Sequence, residues 1–147
     1  MSNVDAMKDL RDQLVNIALA WESSFGNAPH ITAALSELDA ALLVGFPIEE
    51  YARSMQGVTA VQRGHDFKFN GARYQVKANR PSGKPGSFVT LVPKAHNFEW
   101  DYLIWILYNS RYEIQEAWLW ELAPYREAFE FVKRLSPSHY RKGKRLR

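Results

Sequence analysis

The chain has 147 residues, enough for one domain, and its 46% apolar content is sufficient to fill a core. It has no cysteine, which excludes disulfides, thiolate zinc sites and a cysteine nucleophile, and suits a reducing, cytoplasmic setting. The net charge of +3 is unevenly spread: residues 1–56 hold three basic and eight acidic side chains (−5), and residues 57–147 hold sixteen basic and eight acidic (+8). The basic half suits a polyanionic partner, or else an ordinary solvated surface with a basic tail. No charged-then-apolar leader is visible, and the longest apolar run, Tyr102 to Tyr108, is far too short to span a bilayer, so no membrane partner is expected.

Leu10, Leu14, Ile17, Ala18 and Trp21 recur at helical spacing, which predicts an amphipathic helix from Val4 to about Ser24, ended by Gly26-Asn27. Pro29 opens a second helix to about Val44, with Gly45 as its stop. Pro47 restarts a short helix, Ile48 to Met55, closed by Gly57, and Val58 to Gln62 reads as a short strand. The segment from His65 to Phe69 alternates polar and apolar. Asn70-Gly71 then supplies the positive φ values that a type I′ turn needs, and Ala72 to Ala78 alternates again, so a β-hairpin is predicted.

Arg80 to Ser87 has two Pro and two Gly in eight residues and reads as a loop. Phe88 to Pro93 is open between strand and irregular chain. Trp100 to Tyr108 reads as a central strand buried on both faces. Asn109 to Arg111 turns the chain, Tyr112 to Trp120 is a partner strand, and Pro124 to Leu135 is a last helix. Trp100, Trp105, Trp118 and Trp120 are assigned to the core in preference to a base-stacking platform. The tail 141–147, five basic residues in seven, is expected to be mobile. A single domain, residues 1–140, therefore precedes a basic tail. Its element order predicts an α/β or α+β fold with a central mixed sheet of about five strands flanked by helices.

Hairpin geometry carries the chemistry. A two-residue turn at Asn70-Gly71 pairs Phe69 with Ala72, Lys68 with Arg73, Phe67 with Tyr74 and Asp66 with Gln75. Opposed residues share a face, and alternation adds Lys77 to that face. Phe67, Phe69, Tyr74 and Val76 then form the core face, while Asp66, Gln75 and Lys77 cluster on the other. A carboxylate can ligate Mg²⁺ or Mn²⁺, an amide oxygen is a weaker neutral donor, and an ammonium can orient water or stabilise charge on a phosphate. The plain alternative is the solvated face of a half-buried hairpin.

Asp66 followed by Gln75-Val76-Lys77 across a hairpin, after an acidic helix, resembles the PD-(D/E)XK nuclease superfamily, whose motif is Asp on one strand and (Asp/Glu)-x-Lys on the next. The Gln in place of the second acid is similar to Mrr-type restriction endonucleases. The resemblance covers roughly Pro29 to Trp120. It implies a restriction-endonuclease-like core, a Mg²⁺- or Mn²⁺-dependent endodeoxyribonuclease, DNA as partner, and a bacterial or phage setting.

The family often adds an acid from the helix before the sheet. Glu37 and Asp39 both lie at the edges of the stripe formed by Ile31, Leu35, Leu38 and Leu42, and Glu37 is preferred for its reach. Glu49 and Glu50 read as first-turn acids favoured by the helix dipole. The expected site is therefore Glu37, Asp66, Gln75 and Lys77, with Glu37, Asp66 and Gln75 holding the metal. Arg80 and Lys84 in the loop, with Lys94, Arg141 and Lys142, are expected to meet phosphates. His65 and His96 read as isolated. A nicking, restriction-like or junction-resolving activity fits so small a domain, and a homodimer would allow two strands to be cut. The rival readings are a non-catalytic nucleic-acid-binding module of the same fold and a phage or defence-system interaction protein.

Overall fold

The computed structural model describes residues 2–58 and 64–147. Helix α1 spans Asn3–Phe25, opened by the Ser2 hydroxyl accepting the Asp5 N–H at 3.1 Å and closed by Gly26 at φ 91°. Helices α2 (Thr32–Leu43) and α3 (Ile48–Met55) follow. The second helix starts three residues later than Pro29 suggests, because the Pro29 carbonyl accepts the Ile31 N–H in a turn at 2.9 Å. Apart from Ala18, the apolar stripe of α1 is not its buried side. Val15 and Ala18 face the core, whereas Leu10, Ile17 and Trp21 stay more than half exposed. Of the strand expected at Val58 to Gln62, residues 59–62 lie outside the described residues; Val58 itself is not in a strand.

The hairpin of β1 (Phe67–Phe69) and β2 (Ala72–Asn79) has the expected register: Phe67 pairs with Tyr74, Lys68 with Arg73 and Phe69 with Ala72. Asn70 and Gly71 sit at φ 51° and 79°, as a type I′ turn requires. After a crossover, residues 80–101, β3 (Tyr102–Tyr108) pairs parallel to β2, and β4 (Ile114–Glu121) pairs antiparallel to β3. The crossover contains no helix; its one regular feature is a bridge between Val92 and Leu135. Helix α4 (Leu122–Phe129) is shorter than the predicted Pro124 to Leu135, because Lys94 Nζ takes the carbonyls of Glu130 and Val132, both at 2.9 Å, and the chain leaves the helix there.

The tail is ordered, contrary to its composition. Helix α5 (Pro137–Tyr140) leads into β5 (Lys144–Arg145), which pairs with Trp118 and Leu119 of β4. Gly143 makes this approach possible, since a Cβ there would lie 2.6 Å from Trp120 Nε1 and 2.7 Å from the Leu119 carbonyl. The result is an α+β fold with a five-stranded mixed sheet, in the order β1-β2-β3-β4-β5, flanked by helices.

Both faces of the sheet are covered. On one, Val76, Ile104, Ile106 and Tyr108 pack with Ala40, Ala41 and Phe46 from α2 and the turn after it. On the other, Leu103, Trp105 and Trp120 pack with Trp100, Tyr125 and Tyr140. Three of the four tryptophans assigned to the core are buried. The fourth, Trp118, is half-buried beneath the Arg145 guanidinium, which lies 5.3 Å from its ring centre.

Candidate functional site: a carboxylate pair beside a strand lysine

Asp66 stops one residue short of β1. Its N–H donates to the Tyr74 carbonyl at 2.8 Å and its Oδ2 accepts the Val76 N–H at 2.7 Å, so the carboxylate replaces the backbone partner that a longer β1 would have offered. The side chain is thereby fixed against β2 instead of forming a regular pair with Gln75. Alternation along β2 places Gln75 and Lys77 beside Leu103 and Trp105, both fully buried. The polar residues of the hairpin therefore border a second core and do not form an open solvated face.

The helix acid that meets Asp66 is Glu37. Its carboxyl hydrogen-bonds to Asp66, and burial, reinforced by the Asp66 charge, pushes its pKa up to about 7. Burial also raises Asp66, opposed by the Val76 N–H and the Lys77 charge. Burial lowers Lys77, opposed by Asp66. Asp66 is thus the shared neighbour of a helix acid and a strand ammonium. Tyr51 on α3 stands beside the same pair: burial, then the charges of Glu37 and Asp66, lift its hydroxyl to about 12. Sequence reasoning missed Tyr51; its signal was the spacing Ile48, Tyr51, Met55, one face of a short helix. His65, read as isolated, lies close enough for its charge to act on both Asp66 and Asp101, and its Nδ1 is buried without a hydrogen-bond partner among the described residues. Glu49 and Glu50 occupy the first turn of α3, as expected.

Asp39, the other helix acid, is spent elsewhere. It takes Arg11 Nε and Nη2 at 2.7 Å each and the Tyr108 hydroxyl at 2.5 Å, and is 5% exposed. Among the described residues no group of three or more His, Cys, Asp or Glu is placed to hold a metal. The donors the structure brings together are the two carboxylates of Glu37 and Asp66. They fit a hard divalent ion such as Mg²⁺, which binds through one or two carboxylates and keeps several waters. A divalent ion held by both carboxyls would also offset the repulsion between them.

The basic residues expected to meet phosphate mostly have partners in the protein. Arg80 donates to both oxygens of Glu22 at 2.8 Å and to the Ser110 carbonyl, lies 4.4 Å from the centre of the Tyr112 ring, and its side chain is 7% exposed. Its whole fork is engaged, so it anchors the loop. Lys84 Nζ donates to the Gly26 carbonyl at the end of α1, and Lys94 caps α4 in the same way. Arg141 pairs with Glu116 at 2.6 and 2.9 Å while its side chain keeps 44% exposure, and Lys142 is exposed.

No family model matches the chain, and no curated protein matches it. The site's own geometry therefore carries the functional reading.

Proposed function

We propose that this chain is a Mg²⁺- or Mn²⁺-dependent nuclease of the PD-(D/E)XK type, acting on DNA. The observation that carries the reading is the meeting of Glu37 from α2 with Asp66, beside Lys77 on the next strand. The hairpin followed by a parallel β2–β3 pair in a mixed sheet supports a restriction-endonuclease-like core. Glu37 and Asp66 would hold the ion, with the Gln75 amide oxygen as a neutral donor. Bound there, the ion would polarise a phosphoryl oxygen and lower the pKa of a bound water. The Lys77 ammonium would orient the attacking water and offset charge developing on the phosphate. The Val76 N–H keeps the Asp66 carboxylate in place throughout. Phosphate contacts then fall to Lys142 and the open sides of Lys84 and Arg141, because Arg80 and Lys94 belong to the scaffold.

A cytoplasmic setting belongs to this reading and rests on the absence of cysteine. The experiment that tests the activity is incubation with supercoiled, linear and branched DNA in Mg²⁺, Mn²⁺ or EDTA. Cleavage of at least one substrate with metal and none in EDTA is expected; no cleavage of any of the three overturns it. One observation favours a second reading, a non-catalytic DNA-binding module: Gln75 stands where a second strand acid would be, and no third metal-binding acid or histidine joins the pair among the described residues. Salt-sensitive DNA binding without cleavage would select it.

A further inference from the structure

Among the described residues, most of the apolar stripe of α1 is left uncovered. Met7, Leu10, Leu14, Ile17 and Trp21 follow one another at intervals of three and four, the spacing of a helix–helix seam, and Phe25 extends it. Leu10 is 62% exposed, Ile17 61%, Trp21 51% and Phe25 68%. The residues flanking the stripe on its far side, Ala6, Gln13 and Ala20, carry no charge and leave room for close approach.

The two ends of the stripe are complementary in shape. At the C-terminal end Trp21 and Phe25 pack ring to ring, with centroids 4.8 Å apart, and form an apolar ridge. At the N-terminal end Met7, Leu10 and Leu14 form one wall of an apolar groove of about 250 Å³, closed by Leu38 of α2 and by Tyr51 and Ala52 of α3. A two-fold axis that sets α1 antiparallel to its copy, crossing near Ile17, places each ridge in the other chain's groove. The area is also sufficient: with aromatic side chains of roughly 150–250 Å² each half exposed and three aliphatic ones beside them, the patch is on the order of 500 Å² per chain, or about 1,000 Å² for a pair, where specific interfaces begin.

We propose that the exposed face of α1 is an interface with a second copy of this chain, packed antiparallel with the Trp21–Phe25 ridge of each in the Met7–Leu14 groove of the other. The proposal does not depend on the nuclease reading.

Sedimentation velocity of the full chain tests it. The wild type should run at twice its 17.0 kDa monomer mass, and Ile17→Lys with Trp21→Glu should run at 17.0 kDa with unchanged circular dichroism. Both positions are exposed, so the double variant retains its core. Because the chain has no cysteine, single substitutions report the orientation: Ile17→Cys should cross-link under mild oxidation and Phe25→Cys should not. A wild type that runs as a monomer, a double variant that remains dimeric, or cross-linking at Phe25→Cys without Ile17→Cys overturns the proposal. So does a monomer that floats with phosphatidylglycerol vesicles, which would make lipid the occupant.

Discussion

Glu37 and Asp39 stand two residues apart on the same helix, and the fold treats them in opposite ways. Asp39 receives a guanidinium and a phenol and disappears into the core. Glu37 receives another carboxylate, and its proton is held to about pH 7. A charge that is neutralised by the protein's own groups belongs to the scaffold. A pair of like groups pressed together in a half-buried position perturbs its own protonation and is, on the proposed reading, where a metal ion would bind. Lys77 and Tyr51 lie on the Glu37 side of this division, Arg11 and Tyr108 on the other.

The largest expected effect is on the rate. Lys77→Ala should lower cleavage by about 100- to 1,000-fold, or about 2.7–4 kcal/mol of transition-state stabilisation, with the fold retained. A folded variant that cuts at the wild-type rate under saturating DNA would remove Lys77 from the mechanism.

Next comes stability on the other side of the helix. Asp39→Ala leaves Arg11 without its partner and should cost about 3 kcal/mol in denaturant unfolding, the low end for a broken buried pair because Arg11 keeps 21% side-chain exposure. Glu37→Gln should cost nothing comparable. Equal losses for the two substitutions would erase the distinction drawn between them.

A smaller effect is the pH dependence of the metal-free protein. The folded state holds a proton on Glu37 that the unfolded chain releases near 4.5, so between 4.5 and about 7 the native state binds more protons and stability falls as pH rises. Asp66, also raised, adds in the same direction. Thermal melts in EDTA should show the decline, Glu37→Gln should reduce it, and Mg²⁺ should stabilise more at pH 8 than at pH 5. A melting temperature that rises across that window in EDTA would contradict the assignment.

What could be read from the sequence was what short-range rules determine. The Asn70-Gly71 turn fixes the hairpin register within a few residues, so the pairings of Phe67 and Lys68 followed directly. Helical spacing put Glu37 and Asp39 at two edges of one stripe, but which edge faces the sheet depends on Arg11 and Tyr108, 28 and 69 residues away. The same holds for the basic residues. Arg80 looked like a phosphate ligand because Glu22 lies 58 residues earlier, and no local signal joins them. The tail looked loose because five of its seven residues are basic; its order comes from Gly143 fitting against Trp120, a match visible only in three dimensions. The crossover without a helix left no periodic signal to find.

The most direct test of the central claim is calorimetric titration of Mn²⁺ into the metal-free protein at pH 8, comparing wild type with Glu37→Gln and Asp39→Asn. The account predicts a binding isotherm for the wild type, its loss in Glu37→Gln, and its retention in folded Asp39→Asn. Undiminished binding by Glu37→Gln, or no binding by the wild type, would contradict it.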